Sequence, residues 1–283
     1  MSVFPRTTVG GLSVSRMIIG TNWFLGWSHT TGAKDRYIRE NVKNPEKIAE
    51  IMEVFVNSGV DTVMGNIQVP ELHQAIDIVQ QRTGKEIIMI STPGLPATIE
   101  TAAKGFDVGE VEQVLDLEAK LGAKFCMPHT STTDIMVDKC AREVRHMDPV
   151  LKMIRDRGMI PGFSTHVPET IIYADEHDMD VQSYVSIFNA MGFLMQLEVD
   201  WTQQIIHNAK KPVMTIKPMA AGHIRPLQAF TFVWNAIRDQ DMVTVGTMSP
   251  YEAAECVELS MGILERRKPE IKLQETRSKS TVK

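Results

Sequence analysis

Ile160-Pro161-Gly162-Phe163-Ser164-Thr165-His166-Val167-Pro168-Glu169 carries a whole structural unit. Ile160 to Ser164 is a short, mostly apolar run and reads as a strand. A polar step with a histidine follows. Pro168 then opens a helix, where a missing N–H is no loss. The unit recurs on both sides. Upstream, Met17 to Thr21 reads as the first strand. Asn44-Pro45 starts a helix with Ile48, Ile51, Met52 and Phe55 at helical spacing, and Gly59 ends it. Val60 to Val63 is the second strand, Pro70 starts the second helix, and Ile87 to Ile90 is the third strand. Val108 to Leu121 is a helix closed by Gly122. Lys124 to Met127 is the fourth strand and Pro149 to Arg157 the fourth helix.

Downstream, strands at Val181–Phe188, Pro212–Ile216 and Met242–Val245 alternate with helices at Trp201–Asn208, Leu227–Arg238 and Pro250–Leu264. Eight strand–helix units specify an α/β fold, a closed (β/α)8 TIM barrel, more simply than an open sheet. The length of 283 residues suits one such barrel, which typically takes about 250. Arg6 to Ser15 alternates around Gly10-Gly11, the pattern of an N-terminal β-hairpin that would plug the barrel's bottom. We therefore expect one domain over residues 1–283: a hairpin segment at 1–16, an extended active-site loop at 27–43 and a C-terminal tail at 268–283.

The net charge of −5 argues against an obligate nucleic-acid partner, since phosphate neutralisation needs a basic surface. The three cysteines form no CxxC pair, which fits a reducing compartment. There is no signal-like N-terminus and no apolar run of about 18 residues that a membrane span would need. The expectation is a cytoplasmic enzyme of a small molecule, without a membrane partner. Residues 274–283, rich in Ser, Thr and Lys, read as a solvated tail.

Chemistry in such a barrel gathers at the C-terminal strand ends. These present Asn22, Trp23, Asp61, Ser91, Thr92, His129, Ser164, His166, Asn189, Lys217 and Thr247. His129 directly follows a strand and His166 ends the next one. Two imidazoles there could share a divalent metal, with Asp61 or Glu169 as a third ligand. Lys217 could hold a phosphate or carboxylate, act as a Schiff-base amine, or pair with Asp61. The stretch Trp27 to Arg39 reads as a long loop over the mouth, from which His29 or Tyr37 could supply an acid. The turn Gly246 to Ser249 offers N–H groups to a phosphate, with Gly246, Thr247 and Ser249 as candidates.

Several segments together resemble the aldo/keto reductase superfamily. These are Arg6 through Gly10-Gly11 to Thr21, Gly59-Val60-Asp61-Thr62, Gly162-Phe163-Ser164-Thr165-His166, Ile216-Lys217-Pro218-Met219-Ala220-Ala221-Gly222 and Val245-Gly246-Thr247-Met248-Ser249-Pro250-Tyr251-Glu252. Their order and spacing cover nearly the whole chain. The resemblance implies reduction of a small carbonyl or sugar-like substrate by NAD(P). It implies roles for Asp61 and His129 in a catalytic set whose tyrosine falls at Met64 and whose lysine falls at Ser91 or Thr92. It also implies that Phe188 and Asn189 contact the nicotinamide and that Ser164 lies on the cofactor side. No basic residue lies between Arg238 and Arg266 to grip a 2′-phosphate. The alternative is a non-redox lyase, isomerase or hydrolase on the same barrel, using His129 and His166 with or without a divalent metal. A binding protein without turnover is the third possibility.

Overall fold

The computed structural model describes residues 3–271. Residues 1–2 and the tail expected at 274–283 lie outside them. Strands β1 (Arg6–Val9) and β2 (Leu12–Ser15) form the antiparallel hairpin, Arg6 opposite Ser15 and Val9 opposite Leu12. Gly10 and Gly11 turn it at φ +56° and +85°. A hairpin turn with two positive φ values is where glycine is needed.

Next come β3 (Met17–Gly20), β4 (Thr62–Gly65), β5 (Ile88–Ser91) and β6 (Phe125–Cys126). A small antiparallel ribbon follows, β7 (Val137–Asp138) with β8 (Glu143–Val144). The chain goes on through β9 (Ile160–Pro161), β10 (Phe163–Ser164), β11 (Tyr184–Ile187), β12 (Val213–Ile216) and β13 (Met242–Gly246). One parallel sheet runs in the order β10-β11-β12-β13-β3-β4-β5-β6-β9. Its two ends, β9 and β10, are halves of the expected fifth strand, so the order closes into a ring of eight positions among the described residues. Pro161 lacks an N–H, and a Cβ on Gly162 would stand 2.5 Å from the Ser183 carbonyl oxygen. The ladder is broken there by composition. Ile160 N–H donates to Lys124 O at 2.8 Å, and Phe163 N–H donates to Ser183 O at 3.2 Å. The seam is thus tied on both sides.

The helices are α1 (Asn22–Leu25), α2 (Gly32–Asn41), α3 (Pro45–Asn57), α4 (Pro70–Thr83), α5 (Ile99–Lys104), α6 (Val108–Lys120), α7 (Thr130–Thr133), α8 (Met147–Asp156), α9 (Glu169–Glu176), α10 (Val199–Asn208), α11 (Pro226–Ala236) and α12 (Pro250–Leu264). Among them, α3, α4 and α12 begin on proline, as their sequences predict, and α11 begins on Pro226, one residue before the expected start. Asn44 caps α3, its Oδ1 accepting from Glu46 N–H at 3.0 Å.

Strand alternation sorts the apolar side chains into two cores. Ile18, Met64, Ile90, Phe125, Val185 and Met214 fill the barrel interior, and Val9 and Val14 of the hairpin close its lower end. The other faces pack against the helices. Among the described residues, no helix is long and apolar enough to cross a membrane. Cys126 and Cys256 are buried, Cys140 is exposed, and all three are free.

Two expectations are corrected here. The second strand lies two residues later than expected, at Thr62–Gly65. Asp61 therefore precedes the strand and sits at the bottom, its Oδ2 2.8 Å from Arg6 Nη1 of the hairpin. In addition, much of 27–43 is helical rather than a structureless loop. Thr31 caps α2 by accepting from Lys34 N–H at 3.1 Å.

Candidate active site

A cavity of about 470 Å3 opens at the C-terminal strand ends. That is ample for a small-molecule ligand, whose sites take about 300–1,000 Å3. His29, His129, His166 and Lys217 all line it.

His129 follows β6 and caps α7. Its Nδ1 accepts Ser131 N–H at 3.2 Å and lies 2.9 Å from Ser131 Oγ. With that lone pair occupied, the neutral ring carries its proton on Nε2. The hydroxyl run at 130–133 continues the cap. Thr130 Oγ1 donates to the Asp134 carboxylate. Asp134 also accepts from Thr165 Oγ1 at 2.6 Å and from His166 N–H at 3.1 Å. One carboxylate thus ties the ends of the fourth and fifth barrel strands and fixes the backbone beneath His166.

His166 Nε2 lies 3.5 Å from Lys217 Nζ, at the outer limit of a hydrogen bond. Lys217 follows β12 at φ +60°, a left-handed value for a side chain that rarely adopts it. It has no carboxylate partner among the described residues, so the expected pair with Asp61 does not form. Burial pushes its pKa down to about 8. Burial, then the charge of Lys217, push His166 down to about 4, with His129 and His29 adding smaller effects. Burial and Lys217 also lower His129, against a pull from Asp134. His29 is lowered by the same two causes, against Asp35. At neutral pH the mouth therefore holds neutral imidazoles around one amine that readily loses its proton.

The remaining candidates separate. Among the described residues, no three His, Cys, Asp or Glu side chains converge as a metal ion needs. Asp61 is at the other end of the barrel, and Glu169 Oε1 turns to Lys139 Nζ at 2.7 Å. Tyr37 does not line the cavity. It is 54% exposed, with Lys34 Nζ 5.8 Å over its ring. Arg36 pairs with Glu40 at 2.7 Å. Phe188 is wholly buried in the outer core, its ring 5.2 Å from that of Phe232. Full burial of such a ring contributes about 1.5–3 kcal/mol, and here that draws it away from the mouth. Asn189 shapes its own turn, Oδ1 accepting Phe193 N–H at 2.9 Å and Nδ2 donating to Phe193 O at 3.0 Å. Ser164, Gly246 and Thr247 do line the cavity, as do Met64 and Thr92. Ser91 instead gives its hydroxyl to buried Glu118 at 2.5 Å.

Ser249 caps α12, Oγ accepting Glu252 N–H at 3.2 Å. Glu252 reaches back and accepts Met248 N–H at 2.8 Å. This reciprocal cap spends on a carboxylate the N–H that a phosphate would use. Glu252, Glu255 and Arg225 line this part of the cavity, and Arg225 has no carboxylate partner among the described residues. Trp23 lies against Gly246, where a Cβ would meet its ring at 2.8 Å. Asp134 and Glu252 have roles that the reading of the sequence missed. Their signals were the Thr/Ser run before Asp134 and the Ser249–Glu252 spacing of a capping box.

No protein-family model matches the sequence, and no curated protein does. Among solved structures, the chain is similar to a protein assigned as an aldo-keto reductase from Pseudomonas aeruginosa. The identity is 15% and the TM-score 0.64, over 92% of this chain and 95% of that one. It is also similar to an aldo/keto reductase from Brucella melitensis, at 9% identity and TM-score 0.58 over 92% and 93% of the two chains. A protein assigned as a 2,5-diketo-D-gluconic acid reductase B matches at 12% identity and TM-score 0.58, over 97% and 95%. At such identities the likeness carries architecture alone. The chain is built on the barrel fold of the aldo-keto reductases.

Proposed function

We propose that the protein moves protons on a small carbonyl or sugar-like substrate, as a lyase or isomerase on this barrel. The observation that carries the reading is the Lys217–His166 contact at 3.5 Å in the cavity, with no carboxylate pairing the lysine. Polarising a carbonyl oxygen acidifies its α-carbon, and the developing oxyanion needs donors. Lys217 and His129 Nε2–H are the donors. Neutral His166 is the base, and His29 stands at the rim.

A second reading is an aldo/keto reductase-like oxidoreductase acting on a small carbonyl with NAD(P). It is favoured by a cavity that continues from Lys217 to Arg225 and Gly246. The residues fit a nicotinamide dinucleotide poorly. Phe188 and Asn189 are engaged elsewhere, Glu252 holds the Met248 N–H, and Glu252 and Glu255 would repel a 2′-phosphate.

The test is NMR of a panel of small hydroxy-carbonyl compounds in D2O with the protein. Deuterium should enter the α-position, and His166→Gln should slow this about 10²–10⁴-fold, the usual worth of a positioned acid–base group. Titration with NADH and NADPH runs beside it. Tight binding with hydride transfer, and no exchange, would replace the first reading by the second. If a dinucleotide binds, NADPH is expected to gain nothing over NADH; a strong NADPH preference would assign its phosphate to Arg225.

A further inference from the structure

A lysine near a barrel mouth normally pairs with a carboxylate or extends its ammonium into water. Lys217 does neither. It is half-buried in the cavity beside Ile216, Pro218 and Met219. Among the described residues, its one polar side-chain neighbour within hydrogen-bonding reach is His166 Nε2 at 3.5 Å, a neutral ring that cannot serve as counter-ion. Glu252 and Glu255 share the cavity, yet neither forms an ion pair with the lysine among the described residues, and burial lowers its pKa. An amine in an apolar wall, without a counter-ion and with a proton acceptor beside it, is set up as a nucleophile.

We infer that Lys217 forms an imine with the carbonyl carbon of a small ketone or aldehyde, with His166 carrying the protons. This rests on the carbonyl reading above and gives it a covalent course. The amine lone pair forms the C–N bond while the C=O pair collapses onto oxygen. His166 takes the proton that nitrogen sheds and returns it to that oxygen. A further proton from solvent, delivered through His166, lets the oxygen leave as water as the nitrogen lone pair closes the C=N bond. One carbonyl oxygen leaves as one water, and nothing is oxidised or reduced. The protonated imine then draws the electron pair of an adjacent C–H bond, whose proton His166 takes, leaving an enamine. Reprotonation and hydrolysis restore the amine.

The experiment incubates the full chain with pyruvate or hydroxyacetone, adds sodium borohydride, and reads intact mass and peptide map. One reduced adduct per chain on the Lys217 peptide is expected, absent from Lys217→Arg. That variant keeps the charge but cannot form the imine, so α-exchange should fall at least about 10²-fold with the circular dichroism unchanged. The wild-type rate should rise with pH through about 8 as the amine loses its proton. Exchange that persists with no adduct, survives in Lys217→Arg, or falls through the same pH range would overturn the imine and leave Lys217 as a charge only. Neither exchange nor adduct on any probe would overturn the carbonyl reading as well.

Discussion

His166 is positioned by a carboxylate that binds its backbone. Asp134 accepts the His166 N–H at 3.1 Å and the Thr165 hydroxyl at 2.6 Å, so it acts through the chain and not on substrate. Asp134→Ala leaves those donors unmet, which costs about 1–3 kcal/mol when such groups are buried. It should cut kcat with little change in KM. Asp134→Asn retains an acceptor and should recover much of the rate; equal loss in both variants would show that the charge, not the position, matters. His166 also makes stability depend on pH. Its ordinary pKa is 6.5 and its folded value about 4, so between these the unfolded chain binds more protons. Stability from this group is whole above 6.5 and is lost as pH falls toward 4. In thermal melts, wild type should therefore lose stability relative to His166→Gln as pH falls through that window. Parallel curves would mean that the ring is not held neutral.

Elements were read from the chain most clearly where proline marks a start, as at Pro45, Pro70 and Pro250. Asn44→Ala should destabilise by about 1 kcal/mol, the usual worth of a helix cap, measured by urea denaturation; no change would show the cap to be dispensable. The register of β4 was less legible. Val60, Val63 and Met64 flank Asp61 and Thr62, and several frames fit that pattern. Pairing across the sheet, Ile19 with Val63 and Gly20 with Met64, decides it, and that information is non-local. One residue of alternation likewise turns Phe188 into the helix layer. Helix α2 was hidden because Ile38 is its only buried residue, and a polar helix leaves no apolar stripe. Of the candidate side chains, the placement of His129, His166, Lys217 and His29 at the mouth was legible, since it depends mainly on following strands or flanking the mouth. Tyr37 was not, because a helix fixed its direction. Tyr37→Phe should leave turnover intact, and a large loss in a steady-state assay would return it to the site.

The whole molecule separates its two ends. Below, Arg6 ties the hairpin to Asp61 at 2.8 Å, with side chains 32% and 24% exposed. A pair this open is worth at most about 1 kcal/mol. Asp61→Asn should accordingly lower the melting temperature slightly and spare activity; loss of activity at unchanged stability would put Asp61 back into the chemistry. The chain closes on itself at Gly162, where Met127 Cε and the Ser183 carbonyl leave no room for a side chain. Gly162→Ala should weaken that seam and the strand ends that carry His129 and His166, seen as lost amide-exchange protection there. The hairpin plug also bears on traffic. With Val9 and Val14 closing the lower end among the described residues, a ligand that enters at the mouth would leave by the mouth, and one still held there would bar the next.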